Sequence, residues 1–190
     1  PNKIYFNNLQ GYAISQGASA NIDLVFKHVP IKFLVGGTYM DNYKVESSTR
    51  SKQILTENFT GTWTISYEWK KKGLSFDYTG NVYSPMRLPL LGELDPRKEY
   101  SPWWSIQNIQ VTKKLKRFEF YGGVKNLLNF TPPANSIARS FDPFDKGVQY
   151  NASGQVISTQ NNPYAQSFDP TYMYAPNQGI RGFLGVRFKI

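Results

Sequence analysis

Few residues of this 190-residue chain could perform enzymatic chemistry. His28 is the only histidine and there is no cysteine, so we expect no catalytic triad, no Cys-His pair and no histidine-rich metal site. An enzyme would therefore need paired carboxylates, for which the candidates are Asp142, Asp145 and Asp169. Two of these occur in a repeated Phe-Asp-Pro triplet, and aspartate before proline is typical of turns. The sequence thus predicts no catalytic residue, no metal and no cofactor, and a protein that is not an enzyme.

The basic residues have an uneven distribution. There are 22 Lys+Arg against 13 Asp+Glu, a net charge of +9, and with many aromatic residues this would suit a groove for single-stranded nucleic acid. However, nine of the 22 basic residues fall at or beside three short turns, namely Lys27, Lys32, Lys70, Lys71, Lys72, Lys113, Lys114, Lys116 and Arg117. That places them at one rim of the molecule, which favours membrane lipid as a partner and argues against nucleic acid. Contact with anionic lipid contributes about 1 kcal/mol per charge near the surface.

The elements that position these residues are predicted to be β-strands. From residue 59 to 69 the odd positions are apolar or glycine and the even positions are polar, which indicates a strand with two unlike faces. After the turn at 70–73 the alternation resumes up to residue 82, so the pair is predicted to be a hairpin. Five further strands are predicted at about 14–26, 31–43, 103–112, 118–128 and 180–190. The total is seven strands and no convincing helix.

Strand length and loop length both indicate a membrane protein. Several of these runs reach 11 residues. Strands of soluble domains average about 5 to 6 residues, whereas a tilted strand needs about 9 to 11 to span a bilayer. Short connections alternate strictly with long ones, which lie at about 45–53, 87–102 and 129–178. Outer-membrane barrels have short periplasmic turns and long extracellular loops, so the pattern predicts an all-β, antiparallel transmembrane β-barrel.

The alternation assigns side chains to faces. We expect lipid-facing positions at Trp63, Ile65, Tyr67, Phe76, Tyr78, Leu184 and Val186, and inward positions at Thr62, Thr64, Asp77 and Arg187. Aromatic rings at both ends of the strands predict interfacial girdles: Trp69, Phe118 and Phe188 near the periplasmic ends, and Tyr83, Trp103 and Trp104 near the outer ends. The inner face of a soluble β-sandwich alternates in the same way, so a soluble binding module stays an alternative.

Three stretches resemble one known family. The run Tyr121–Asn129 (YGGVKNLLN) resembles the penultimate strand of TonB-dependent outer-membrane receptors, with Leu128 in place of the usual Phe. Residues 168–188 are similar to the C-termini of such receptors from the Bacteroidetes. The spacing of Gly185, Phe188 and Ile190 resembles the C-terminal signal read by the barrel-assembly machinery, although the last position is often Phe. The resemblance is specific over about 101–190 and only architectural before that.

The resemblance implies a large transport protein of the Gram-negative outer membrane. Residues 1–190 would be the C-terminal part of one barrel domain, about seven of 22 strands, with the plug domain and upstream strands lying outside this chain. The whole protein would import a scarce nutrient, such as an iron chelate, cobalamin or a glycan, energised through the TonB complex. Further implied partners are the barrel-assembly machinery and a surface lipoprotein. Bacterial single-chain barrels have even strand numbers, so a count of seven independently predicts a fragment.

One further alternative and one candidate region remain. Counting residues 4–8 as a strand would give eight strands and a complete small barrel with a structural or adhesive role. In the receptor interpretation, substrate capture is assigned to the extracellular loop at about 129–178, because loops this long are usually functional or disordered. Its candidate substrate-contacting aromatics are Phe141, Phe144, Tyr150, Tyr164, Phe168, Tyr172 and Tyr174. Packing of these rings within the loop is equally compatible with the pattern.

Overall fold

The fold is all-β and antiparallel. The computed structural model describes residues 8–89, 98–132, 149–153, 156–160, 173–176 and 178–189. The strands are β1 Gly11–Val25, β2 Ile31–Glu46, β3 Thr49–Lys52, β4 Phe59–Trp69, β5 Leu74–Tyr83, β6 Trp104–Lys114, β7 Phe118–Lys125, β8 Gln149–Tyr150, β9 Val156–Ile157 and β10 Arg181–Phe188. The main sheet has eight strands: seven lie side by side in the order β1-β2-β4-β5-β6-β7-β10, and β3 pairs only with β2. Strands β8 and β9 form a separate two-stranded ribbon.

Three short turns lie side by side at one end of the sheet, which we call the turn end. The turn between β4 and β5 is a single 3-10 turn at Lys70–Lys72, closed by Gly73 in the left-handed conformation at φ 59°. Glycine adopts this conformation without steric cost. Its N–H donates to the Lys70 carbonyl at 3.1 Å, and its carbonyl accepts from the Lys114 N–H at 2.8 Å. This second bond ties the turn to the neighbouring strand β6.

The long connection expected at 45–53 lies instead at 47–58, between β2 and β4, and it contains the short strand β3. Strand β2 continues to Glu46, and β3 folds straight back to pair with it in register from Glu46–Thr49 to Tyr43–Lys52. Ser47 and Ser48 form the two-residue loop, with φ values of 47° and 66°. Positive φ at both positions is the geometry that matches the twist of a tight hairpin. The short polar strand β3 has no apolar alternation, so periodicity alone could not reveal it.

The register sorts side chains onto an apolar face and a polar face. Ile65 is opposite Phe33 on one side and Tyr78 on the other, and directly opposed residues share a face. Following this register across the sheet places seven side chains on the apolar face: Trp63, Ile65, Tyr67, Phe76, Tyr78, Leu184 and Val186. The same register places Thr62, Thr64, Asp77 and Arg187 on the polar face. These two groups agree with the predicted faces.

The apolar face is open. Leu184 is 86% exposed, and Val186 and Phe188 are both more than half exposed. In the part of the chain that the structure describes, no strand or helix packs over this face, since the strands of the main sheet contact only their sheet neighbours. No helix among the described residues is long and apolar enough to cross a membrane.

The buried core is small and lies on the polar face at the opposite end, which we call the loop end. It consists of Met86, Leu88, Trp104, Tyr174 and Ala175. The Trp104 ring stacks on Tyr83 at 4.1 Å and on Phe130 at 5.8 Å between ring centroids. Tyr83 and Trp104 are cross-strand partners on the polar face, so their expected role in an outward-facing girdle is wrong. Trp103 is 57% exposed and lies 6.2 Å from the Phe59 ring.

The sheet has two free edges. Strand β1 is the first in the sheet order and β10 is the last. Among the described residues neither strand has a partner on its outer side, and the two do not pair with each other. The sheet is therefore not closed by these strands.

Candidate functional site

The loop aromatics predicted to contact substrate have different environments. Tyr150 lies in β8 and is 60% exposed. Tyr174 is only 8% exposed, because it belongs to the loop-end core with Trp104 and Met86. The structure thus gives Tyr174 a packing role and leaves Tyr150 open to solvent. The remaining candidates lie outside the described residues: Phe141, Phe144, Tyr164, Phe168 and Tyr172.

Asn126 joins the two ends of the long connection between β7 and β10. It is 3% exposed and left-handed, with φ 52°, a conformation that asparagine tolerates better than most residues. Its Nδ2 donates to the carbonyls of Phe130 at 2.8 Å and of Gln178 at 3.0 Å. Its Oδ1 accepts from the Phe130 N–H at 2.9 Å. One side chain therefore fixes the first residues of the connection against the last.

Asn129 makes a second link of the same kind. It is also left-handed, with φ 52°, and its Oδ1 accepts from the Ile180 N–H at 2.8 Å. Both asparagines belong to the run that carries the family resemblance, yet sequence reasoning gave them no role. For Asn129 the available signal was its place directly after the predicted strand at 118–128, which is typical of turns. Asn126 gave no such signal, because it lay inside that predicted strand, whereas β7 ends at Lys125.

A cavity of about 240 Å³ lies beside the loop-end core. Its lining residues are Leu55, Glu57, Tyr83, Met86, Trp104, Met173 and Tyr174. The Trp104 Nε1 donor is buried and has no hydrogen-bond partner in the described structure. The Glu57 carboxylate accepts from the Thr60 hydroxyl at 3.0 Å. The recess is therefore lined by both apolar and polar groups, among them one indole donor and one carboxylate.

The cations at the loop end are engaged by neighbouring groups. Arg50 is 2.7 Å from Asp41, Lys44 is 3.2 Å from Glu46, and Arg87 is 3.0 Å from Glu99. In addition, burial lowers the pKa of Lys52, and the Asp41 carboxylate partly opposes that shift. Lys52 also donates to the Pro85 carbonyl at 3.5 Å.

Side chains of the polar face mostly pair with one another. Arg187 is 2.7 Å from Glu119, which is 7% exposed, and the Arg187 guanidinium lies 4.8 Å from the centre of the Tyr121 ring. Ser66 donates to Asp77 at 2.6 Å. These contacts join neighbouring strands of the sheet, and none of them distinguishes a single residue of this face as a ligand contact.

The residues of the proposed assembly signal lie on both faces of β10. Phe188 is on the apolar face, 57% exposed, with its ring centroid 5.1 Å from that of Phe118. Gly185 is on the polar face beneath Tyr121, whose Cζ would lie 2.3 Å from an added Cβ. The Tyr121 ring therefore occupies the space that a side chain at position 185 would need. Ile190 lies outside the described residues.

Substitutions at Phe188 separate packing from recognition by the assembly machinery. Because the ring is more than half exposed, Phe188→Leu is expected to change stability in detergent by less than about 1.5 kcal/mol. If Phe188 is part of an assembly signal, the amount of protein exposed on the cell surface should fall by more than the small loss of stability in detergent explains. Phe188→Ala and deletion of Lys189–Ile190 extend the series. Normal cellular assembly of all three variants would contradict a signal role.

The described residues contain no group of three or more His, Asp or Glu side chains placed to hold a metal ion. Comparisons of the chain with protein-family models, with curated proteins and with solved structures find no match.

Proposed function

We propose that this chain forms part of the wall of an outer-membrane β-barrel that imports a nutrient. The observation that carries the proposal is the apolar face, which continues across seven neighbouring strands and is left open. Burying exposed apolar surface contributes about 25 cal/mol per Å², so a face of this extent requires an apolar environment. Lipid hydrocarbon provides that environment without a second layer of protein.

The strand dimensions support a transmembrane location. Strands β4 and β6 have 11 residues each and β5 has 10. A strand tilted by about 45° needs about 9 to 11 residues to span a bilayer. On the polar face these strands carry threonine, serine and asparagine, as expected for a wall that faces water or a plug domain.

The free edges support a larger barrel. Unpaired backbone groups at a sheet edge are not satisfied in hydrocarbon, which is why membrane barrels close. We infer that β1 and β10 pair with further strands of the same protein, in agreement with the resemblance to 22-stranded TonB-dependent receptors. In that arrangement a plug domain faces the polar wall, and the loop-end cavity opens toward substrate outside the cell.

The test combines location with energy dependence. We expect an antibody to the loop at about 129–178 to label intact cells, and the protein to fractionate with the outer membrane. Deletion of the gene should abolish growth when one nutrient is limiting, either an iron chelate, cobalamin or a glycan. In wild-type cells, collapse of the proton gradient should stop uptake of that nutrient. Recovery of the protein as a soluble, monodisperse species without detergent would overturn the proposal, because it would favour a soluble sandwich.

A further inference from the structure

Six cations stand at the tips of the three short turns. These turn-end cations are Lys27, Lys70, Lys71, Lys72, Lys116 and Arg117, and all are exposed. The turns are neighbours in space, since the strands they join are adjacent in the sheet. The cations therefore form a row along one end of the wall, instead of scattered surface charges.

The turn-end cations differ from those of the loop end in their partners. At the loop end Arg50, Lys44 and Arg87 each have a carboxylate within 3.2 Å. None of the turn-end cations has a carboxylate within 4.0 Å in the part of the chain that the structure describes. Among the described residues, these three loop-end cations are thus paired with carboxylates and the six turn-end cations are not.

Three acidic residues lie near the turn end, Asp23, Glu68 and Glu119. Glu68 lies 4.0 Å from Lys114. Glu119 is 2.7 Å from Arg187 and almost fully buried. Asp23 is exposed, but neither it nor the other two carboxylates lies within 4.0 Å of a turn-end cation in the described part of the chain.

Exposed aromatic rings border the row of cations on the apolar face only. Trp69 is 43% exposed, Phe118 44% and Phe188 57%. The Lys72 Nζ lies 6.0 Å from the centre of the Trp69 ring. Aromatic rings favour the boundary between hydrocarbon and headgroups, and lysine side chains reach from that boundary toward water. The cations therefore stand at the level where headgroup phosphates would lie.

We propose that the turn end docks on the anionic phospholipid headgroups of the leaflet that it faces. The inference rests on the proposed membrane location and adds a lipid preference for one end of the wall. A nucleic acid or an acidic protein would meet only the tips of the turns, whereas an anionic lipid meets the cations and the aromatic border together. Its phosphate pairs with lysine and its acyl chains pack on the exposed rings.

The test compares two triple variants, each of which lacks three positive charges. Both are made in the full-length protein and are purified from cells in detergent. One variant carries Lys71→Gln, Lys72→Gln and Lys116→Gln at the turn end. The matched control carries Lys44→Gln, Arg50→Gln and Arg87→Gln at the loop end. Each protein is reconstituted in phosphatidylcholine vesicles with and without phosphatidylglycerol, and the relative binding constant of the two lipids is measured by quenching of tryptophan fluorescence with brominated lipids.

We expect the preference for phosphatidylglycerol to fall at least about fivefold in the turn-end variant, since one charge contributes about 1 kcal/mol near a membrane surface. The loop-end control should retain the wild-type preference, and added salt should weaken it by screening. The inference would be overturned if the wild-type protein inserted into both kinds of vesicle with no lipid preference, or if both variants lost the preference for phosphatidylglycerol equally. Neither result would contradict the proposed transporter. Failure of the wild-type protein to enter either kind of vesicle would overturn both.

Discussion

Replacing Ile65 by arginine is expected to reduce the free energy of unfolding in lipid by about 2 to 4 kcal/mol, the cost of arginine on the lipid face near the bilayer midplane. Ile65 is in the middle of β4, between Phe33 and Tyr78 on the apolar face. Its neighbours offer no carboxylate, so a guanidinium there would face hydrocarbon without a counter-ion.

Thr64→Arg is the matched control. Thr64 is the preceding residue on the same strand, but its cross-strand partners are Leu34 and Thr79 on the polar face. An arginine at that position can extend into water or pair with Asp77, so its cost should be much smaller. Urea titration of the protein folded into lipid vesicles measures both variants. Equal losses for the two substitutions would count against a bilayer on the apolar side.

Replacing Asn126 by alanine is expected to lower the free energy of unfolding by about 2 to 4 kcal/mol. The substitution removes the partners of three backbone groups, the N–H and carbonyl of Phe130 and the carbonyl of Gln178. Each buried polar group left without a partner costs about 1 to 3 kcal/mol, and local rearrangement recovers part of the total. The connection between β7 and β10 should also become more sensitive to protease, because both of its ends lose their attachment.

Two controls separate the side chain from the backbone. Asn126→Gly keeps easy access to the left-handed conformation at φ 52° but removes the amide, so its loss should approach that of alanine. Leu127→Ala changes the adjacent, 40% exposed side chain and should cost less than 1 kcal/mol. A near-neutral Asn126→Gly would show that Asn126 serves only its backbone conformation and would refute the role assigned to its amide.

Local alternation determined much of the strand arrangement. The predicted strand at 59–69 coincides with β4, and the Lys70–Gly73 segment forms the expected tight turn. The two predicted faces agree with the register, because a period of two places alternate side chains on opposite sides wherever the strand is regular. Periodicity failed for β3, which is four residues long. The girdle assignment failed for Trp104, because a period of two places the adjacent residues 103 and 104 on opposite faces and only Trp103 lies beside the apolar-face ring of Phe59.

Only the tertiary structure decided which residues meet across distant strands. Arg187 pairs with Glu119 at a separation of 68 residues, and Asn126 contacts Gln178 at a separation of 52. A strand pattern gives the face of a side chain but not the register of its neighbour, and a shift of two residues preserves every face while changing every partner. Composition and spacing thus determined the apolar face, the turn-end charge and the family resemblance. Three features depended on the register that the folded sheet fixes. They are the link between the two ends of the β7–β10 connection, the placement of Tyr121 over Gly185, and the carboxylate partners of the loop-end cations.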